Sequence, residues 1–246
     1  MSPKANAKYV PKPTNNRTTY ILGAVAVIVI AVVVIGGVMW QSNRNKPRNE
    51  GYGSVQNTQV EVALQPDGVI RVGAANAPTT IEVFEDPLCP VCGEFEKKFG
   101  QEIAQKIDEG KLAVDYHMLN FLNEVSHSGD YSTRAVAASQ CVAESGNAVA
   151  YGKFHDELFS PGNQPAERGS SDHTNDELGR MARDAGANDA AVACITSGEK
   201  VQGAGQSATA AAQYLMVNTG RVGTPTVLQD GKSVDTSDNE WVANLE

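Results

Sequence analysis

The spacing of apolar and polar residues divides the chain into three segments. Residues 20–40 are almost wholly apolar and uncharged, residues 41–58 are polar and lack an apolar period, and residues 59–246 contain many short periodic stretches. A helix needs about 20 apolar residues to cross the hydrocarbon of a bilayer, whereas the apolar part of a cleaved signal peptide is shorter. The pattern therefore predicts a tail at 1–19, a transmembrane anchor at 20–40, a flexible linker at 41–58 and one folded domain at 59–246.

Short stretches rich in β-branched residues predict strands at both ends of the domain. In residues 112–119 apolar side chains alternate with others, which is the period of a strand with one buried face. A short helix is predicted after the last strand. The predicted strands are Val60–Leu64, Val69–Val72, Thr79–Phe84, Leu112–Leu119, Thr226–Gln229 and a weak one at Ser233–Asp235.

Helices are predicted where apolar residues recur every three or four positions. One such stripe begins directly after the third predicted strand and consists of Cys92, Phe95, Phe99, Ile103 and Ile107. A block rich in Ala at about 125–219 separates the early strands from the late ones. Its predicted helices are Arg134–Glu144, Ala148–Phe159, Asn175–Ala185, Asp189–Thr196 and Glu199–Val217.

The charge of the chain is strongly asymmetric. Residues 1–49 hold seven of the 20 basic residues and none of the 29 acidic ones, so the remainder has 13 basic against 29 acidic residues and a formal charge of −16. Such an acidic domain repels a phosphate backbone. The basic residues within 1–49 are explained by their position beside the apolar segment at 20–40. Nucleic-acid binding is therefore excluded as a function.

All four cysteines follow the predicted anchor. Cysteine pairs at redox-type spacing are typical of oxidising compartments outside the cytoplasm. We therefore expect residues 1–19 in the cytoplasm and the catalytic domain on the outer side of the cell membrane. The basic residues on the two sides of the anchor are too evenly divided to decide its orientation.

Two of the cysteines, Cys89 and Cys92, stand at the junction of a predicted strand and helix, separated by Pro90 and Val91. The free N–H groups and the dipole of a helix start favour a negative sulfur, and Pro is well suited to the first turn. We predict that Cys89 faces solvent and exchanges with a substrate, while the buried Cys92 resolves the mixed disulfide. This chemistry requires no metal or other cofactor.

Two other interpretations of the motif are a zinc half-site and an inert disulfide. A zinc site needs further ligands, but Cys141 and Cys194 are isolated and the four histidines form no closely spaced pair. The sequence context of a strand, Cys-x-x-Cys and a helix favours redox chemistry. For Cys141 and Cys194, in apolar segments of the helical block, we predict a structural disulfide, with two free buried thiols as the alternative.

The sequences FEDPLCPVC at 84–92 and VGTPT at 222–226 make the chain resemble the DsbA-like thiol-disulfide oxidoreductases. The resemblance covers roughly residues 58–246. It implies an α/β thioredoxin-like fold with a helical insertion, and a cis bond between Thr224 and Pro225 that faces the active disulfide and holds an incoming peptide. It also implies that the substrates are reduced exported proteins and that a membrane-embedded partner reoxidises the enzyme.

One position departs from the pattern of thioredoxins and several of their relatives. They carry a buried acid six residues before the first cysteine, where this chain has Val83. Glu85 or Asp86 could assist Cys92 through a water instead, but the favoured interpretation is that both are solvated loop carboxylates. His155, within an aromatic helix pattern, is predicted to be a packing residue.

Three functions follow from these observations. The favoured one is an oxidase that introduces disulfides into exported proteins. A reductase or isomerase would use the same motif at a different reduction potential. The third hypothesis is not an enzyme: it is a tethered peptide-binding module in which the cysteines are structural.

Overall fold

The computed structural model describes Leu22 and residues 53–245 of the chain. Apart from Leu22, the predicted anchor at 20–40 and the linker as far as residue 52 lie outside the described residues. Within the described part, no helix is both long enough and apolar enough to cross a membrane. The folded domain belongs to the compact unit Pro47–Glu246.

Within residues 53–245, six strands form one mixed sheet in the order β1-β2-β4-β3-β5-β6. Strands β3 and β4 are parallel and the other neighbours are antiparallel. Because β3 lies between β4 and β5, both of its edges are hydrogen-bonded. Both of its faces are covered as well, since Val83 and Phe84 are fully buried on opposite sides. The strands are β1 (Val62–Leu64), β2 (Ile70–Val72), β3 (Thr79–Glu85), β4 (Leu112–Met118), β5 (Thr226–Gln229) and β6 (Lys232–Ser233).

A continuous helical connection joins β3 to the parallel strand β4. It consists of α1 (Pro90–Phe95), a π-helical turn at Glu96–Gly100 and α2 (Gln101–Asp108). The predicted stripe from Cys92 to Ile107 is buried along its whole length. The prediction of a helix with one apolar face is therefore confirmed, with the π-helical turn as a local modification.

The predicted helical block is present between β4 and β5. It begins after a 3-10 turn at Asn123–Val125. The longest helix of the block, α7, packs Ala211 and Leu215 against the sheet face that carries Phe84. A reciprocal capping box between Thr174 and Glu177 fixes the start of the third helix of the block. The helices are α3 (Tyr131–Glu144), α4 (Ala148–Phe159), α5 (Asn175–Ala185), α6 (Asp189–Ser197) and α7 (Val201–Thr219).

The predicted helix near the C-terminus is wrong, because the described residues after β6 form turns instead. So short a segment gains little from helix formation by itself. It is fixed by packing, since the ring of Trp241 lies 6.1 Å from that of Phe95 and 5.5 Å from that of Phe99. The weak strand is also shifted, to Lys232–Ser233.

A disulfide joins Cys141 on α3 to Cys194 on α6 across a sequence separation of 53 residues. Both cysteines are buried, and their Cα atoms are 5.9 Å apart. The bond therefore ties together two helices of the block, neither of which carries a residue of the Cys-x-x-Cys motif.

Candidate redox site

Cys89 is the residue immediately before helix α1. Its backbone is extended, Pro90 begins the helix, and the N–H groups of Cys92 and Gly93 donate to the Cys89 carbonyl at 3.0 and 3.3 Å. A hydrogen bond from the Cys92 thiol, aided by the Thr224 side chain and by the backbone N–H groups of Cys92 and Val91, outweighs burial and lowers the pKa of Cys89 to about 6. Cys89 is therefore a thiolate at neutral pH.

Cys92 has the opposite electrostatic environment. Its side chain is fully buried, and burial raises the pKa of its thiol far above the ordinary range. The hydrogen bond that it gives to Cys89 and the negative charge of Glu85 raise the pKa further. Both cysteines of the motif are free thiols, so the structure combines a stabilised anion with a neutral thiol beside it.

The loop before β5 lies over the exchange sulfur. The Thr224–Pro225 peptide bond is cis, and the Cys89 Sγ atom lies 3.6 Å from the Thr224 carbonyl oxygen. On another side, the Gln164 side-chain amide donates to the carbonyls of Pro87 and Cys89 at 3.2 and 2.9 Å. The structure thus brings Thr224 and Pro225 to the Cys-x-x-Cys motif, and it adds Gln164 from the helical block.

These contacts correct one prediction, because Cys89 exposes only 6% of its surface. The loop at Thr224 covers a sulfur that was predicted to face solvent. The neighbouring Val91 remains 59% exposed. Access to Cys89 is therefore narrow and lies beside an apolar side chain.

Asp86 is fully buried, which overturns its prediction as a solvated loop carboxylate. Its carboxylate accepts hydrogen bonds from the backbone N–H groups of Leu88 and Leu122, both at 3.0 Å, and from the Ser132 hydroxyl at 2.6 Å. Desolvation outweighs these bonds and raises the pKa of Asp86 to about 6. Asp86 thus connects the turn before Cys89 to helix α3.

Glu85 is also fully buried, at the end of β3, so the prediction of a solvated carboxylate is wrong there too. Its Oε2 atom lies 3.3 Å from Nε2 of His155, which in turn lies 3.6 Å from Oε1 of Glu96. His155 packs against aromatic rings as predicted, but it also joins two acids. We call Glu85, Glu96 and His155 the carboxylate–imidazole cluster.

Burial and mutual charge determine how this cluster holds its protons. Desolvation and the charge of Glu96 raise the pKa of Glu85 to about 8. Burial disfavours a charged His155, but the two acids outweigh it and raise the imidazole pKa to about 10. At neutral pH, Glu85 is therefore mostly protonated and His155 is an imidazolium.

The same three side chains offer donor atoms that all lie within 4.8 Å of one another, a spacing that a metal ion would also accept. An ion-paired cluster accounts for the spacing equally well, because a cationic imidazole attracts two acids. The chemistry of the two thiols does not require a metal.

Sequence reasoning missed the roles of Gln164, Ser132, Glu96 and His155 around the motif. His155 gave the clearest signal, because it is a titratable residue on an apolar helix face that also carries Tyr151, and such a residue is buried only with a partner. Its partners could not be identified, since they lie on β3 and on the π-helical turn.

The comparisons with known proteins agree with this geometry. A family model described as Thioredoxin matches residues 65–246. The serine/threonine-protein kinase PknE of Mycobacterium tuberculosis strain H37Rv is 42% identical over 186 residues, which are 76% of this chain and 32% of the kinase. The chain thus spans about a third of the length of the curated relatives that it matches.

Two solved structures resemble the chain over most of their length. The MdbA thiol-disulfide oxidoreductase from Corynebacterium diphtheriae is 25% identical with a TM-score of 0.67, and the match covers 80% of this chain and 98% of that one. Reduced DsbA from Mycobacterium tuberculosis is 31% identical with a TM-score of 0.60, covering 72% of this chain and 93% of that one. The α/β fold with its helical insertion is shared with these structures.

Proposed function

Because the chain belongs to the thioredoxin family and is a DsbA-like thiol-disulfide oxidoreductase, we propose that it is an oxidase that introduces disulfides into exported proteins. Cys89 and Cys92 carry the exchange, and Thr224 and Pro225 hold the substrate. The anchor at 20–40 would keep the domain on the outer side of the cell membrane, near its substrates and near a membrane-embedded partner that reoxidises it.

The observation that carries this proposal is the low pKa of Cys89, at about 6. A stabilised thiolate favours the reduced form of the Cys89–Cys92 pair over its disulfide. A disulfide whose reduced form is stabilised is a strong oxidant, because opening it releases free energy. This stabilisation favours electron flow from the substrate thiols to this protein, and the reduction potential of the Cys89–Cys92 pair tests that direction.

The reaction proceeds in two exchange steps. A substrate thiolate attacks Sγ of Cys89, the Cys89–Cys92 bond breaks, and Cys92 leaves and takes up a proton. A second substrate thiolate then attacks the substrate sulfur of the mixed disulfide and releases Cys89 as a thiolate. The substrate loses two electrons to form its disulfide, and the Cys89–Cys92 pair gains them.

The surroundings of Cys89 suit an extended peptide. Val91 in the motif is 59% exposed and Val222, just before the Thr224–Pro225 loop, is 37% exposed. Apolar side chains of an unfolded substrate can contact these residues while its backbone lies along the loop. Such binding requires a substrate with exposed apolar residues near a cysteine. Exported proteins that have not yet folded share this feature.

The direct test is oxidative refolding of a reduced, unfolded substrate protein by the full chain in detergent. We expect wild-type protein to accelerate refolding, Cys89→Ser to be inactive, and Cys92→Ser to accumulate a mixed disulfide with the substrate. The control is the double variant Cys141→Ser/Cys194→Ser, which leaves the motif intact and retains activity if it folds.

Two outcomes would overturn the proposal. Equilibration with glutathione could give a strongly reducing potential, which would indicate a reductase. Alternatively, full peptide binding by Cys89→Ser together with no redox activity in the wild type would indicate a binding module with structural cysteines.

A further inference from the structure

We infer that the carboxylate–imidazole cluster of Glu85, Glu96 and His155 supplies and removes the proton of Cys92 during disulfide exchange. This inference rests on the proposed exchange function of Cys89 and Cys92. It assigns to three buried residues, from β3, the π-helical turn and α4, the task that a buried acid at the position of Val83 would perform.

Cys92 needs such a partner because it is cut off from water. Its side chain is fully buried, and Cys89 precedes it on the solvent side. When a substrate attacks Cys89, the electrons of the broken bond move to Sγ of Cys92. A thiolate whose conjugate thiol has so high a pKa is a poor leaving group unless a proton reaches it.

Glu85 is placed to give that proton. It is the last residue of β3, its carboxyl group is fully buried, and its ionised form raises the pKa of Cys92, so the two groups interact through the protein interior. The backbone of Glu85 is fixed as well, since its carbonyl accepts a hydrogen bond from the Leu119 N–H at 2.7 Å. Val83 is apolar, and it lies on the face of β3 that joins the main core.

His155, held beside Glu96, restores the proton that Glu85 gives away. Nε2 of His155 lies 3.3 Å from Glu85 and 3.6 Å from Glu96, so the imidazolium is within reach of both acids. A cavity of about 30 Å³, which is large enough for a water molecule, is lined by Glu96 and His155. A water molecule in this cavity would exchange protons with His155 and Glu96.

The two phenols around the cluster do not compete for this proton. Tyr116 on β4 and Tyr151 on α4 are buried, and burial raises the pKa of both phenols well above the ordinary value. Asp156 on α4 also has a raised pKa, caused first by desolvation. Asp86, the next residue after Glu85, has a pKa of about 6, so a fall in rate near pH 8 distinguishes Glu85, whose pKa is about 8.

The test measures how fast a small dithiol reduces the oxidised full chain at roughly pH 5 to 9, with each rate divided by the concentration of the attacking thiolate. For wild-type protein, we expect this normalised rate to fall as pH rises through the pKa of Glu85, because the carboxyl then has no proton to give. Glu85→Gln should be slower by at least about tenfold at neutral pH and lack this fall.

Two further variants separate proton supply from general disturbance. Glu96→Gln should move the fall to lower pH, because the negative charge of Glu96 contributes to the raised pKa of Glu85. Glu94→Gln is the matched control, since Glu94 is exposed on α1, and its profile should equal that of the wild type. A Glu85→Gln profile equal to that of Glu94→Gln would overturn the inference, even if wild-type refolding activity were intact.

Infrared spectroscopy tests the wild type even if Glu85→Gln does not fold. The difference between the oxidised and reduced states should show a shift in the band of a buried protonated carboxyl, and its absence would overturn the inference. Bound Zn²⁺ that survives dialysis, with exchange kinetics that change on chelation, would also overturn it, because the cluster would then be a metal site. A wild type without any exchange activity would instead refute the proposed function.

Discussion

The Sγ atom of Cys89 lies 3.6 Å from the carbonyl oxygen of Thr224, although 135 residues separate the two along the chain. Antiparallel pairing of β3 and β5 explains this contact, since Phe84 pairs with Thr226. Cys89 follows the end of β3 and Thr224 precedes the start of β5, so both lie at the same edge of the sheet. The topology of the sheet thus brings the Cys89 sulfur and the loop at Thr224 close together.

The hydroxyl of Thr224 contributes to the low pKa of Cys89. Thr224→Val keeps the shape of the side chain and removes the hydroxyl, so the pKa of Cys89 should rise. Alkylation of Cys89 below its pKa should slow by no more than about tenfold, which corresponds to one pKa unit. Thr219→Val, on α7, is the control, and an unchanged alkylation rate in Thr224→Val would show that the hydroxyl does not act on the sulfur.

The ionisation of Cys89 predicts a specific pH dependence in the reduced chain. Alkylation of Cys89 should reach half of its maximal rate near the pKa of about 6, while Cys92 should remain unmodified. The rate of modification is followed by mass spectrometry over a pH series. A midpoint near the value of a free cysteine, about 8.5, would contradict the lowered pKa of Cys89.

The same shift affects stability. A thiol whose pKa is lowered on folding stabilises the reduced fold fully above the unfolded pKa of about 8.5, and this contribution is lost as pH falls through the folded value. Urea denaturation of the reduced chain should therefore show a free energy of unfolding for which the Cys89 contribution decreases towards pH 6. Cys89→Ser is the reference, because it lacks this contribution at every pH.

Ser132 donates its hydroxyl proton to the buried carboxylate of Asp86 at 2.6 Å. Ser132→Ala should lower the free energy of unfolding by about 1.5–3 kcal/mol, since a buried charged acceptor loses a hydrogen bond. It should also raise the pKa of Asp86 further. Chemical denaturation measures the first effect, and the exposed Ser170→Ala serves as control. Equal stability of the two variants would contradict the assignment.

The Cys141–Cys194 disulfide closes a long loop between α3 and α6. Replacing both cysteines with Ala should lower the free energy of unfolding by about 2–4 kcal/mol, because the unfolded chain gains conformational freedom. The rate of exchange at Cys89 should not change, since the bond lies on helices that carry no residue of the motif. A large loss of exchange rate in a folded double variant would contradict this separation.

The order of strands and helices could be predicted from the sequence because it depends on local periodicity. Ala148–Phe159, Asn175–Ala185 and Thr226–Gln229 have the predicted bounds, since their apolar patterns are regular and their ends carry caps or turns. The position of the Cys-x-x-Cys motif before a helix follows from the same local information. The segment near Trp241 did not follow its local pattern, because packing against Phe95 and Phe99 holds it in turns.

Tertiary structure alone decided the environment of each group at the site. Local sequence could not show that Glu85 and Asp86 are buried, because covering them requires α3 and α4 to pack over the end of β3. The low exposure of Cys89 likewise depends on a loop that strand pairing brings from a distant part of the chain. Burial and charge at a site are sums over neighbours distant in sequence, so the sequence determined which residues are present and the fold determined their pKa values.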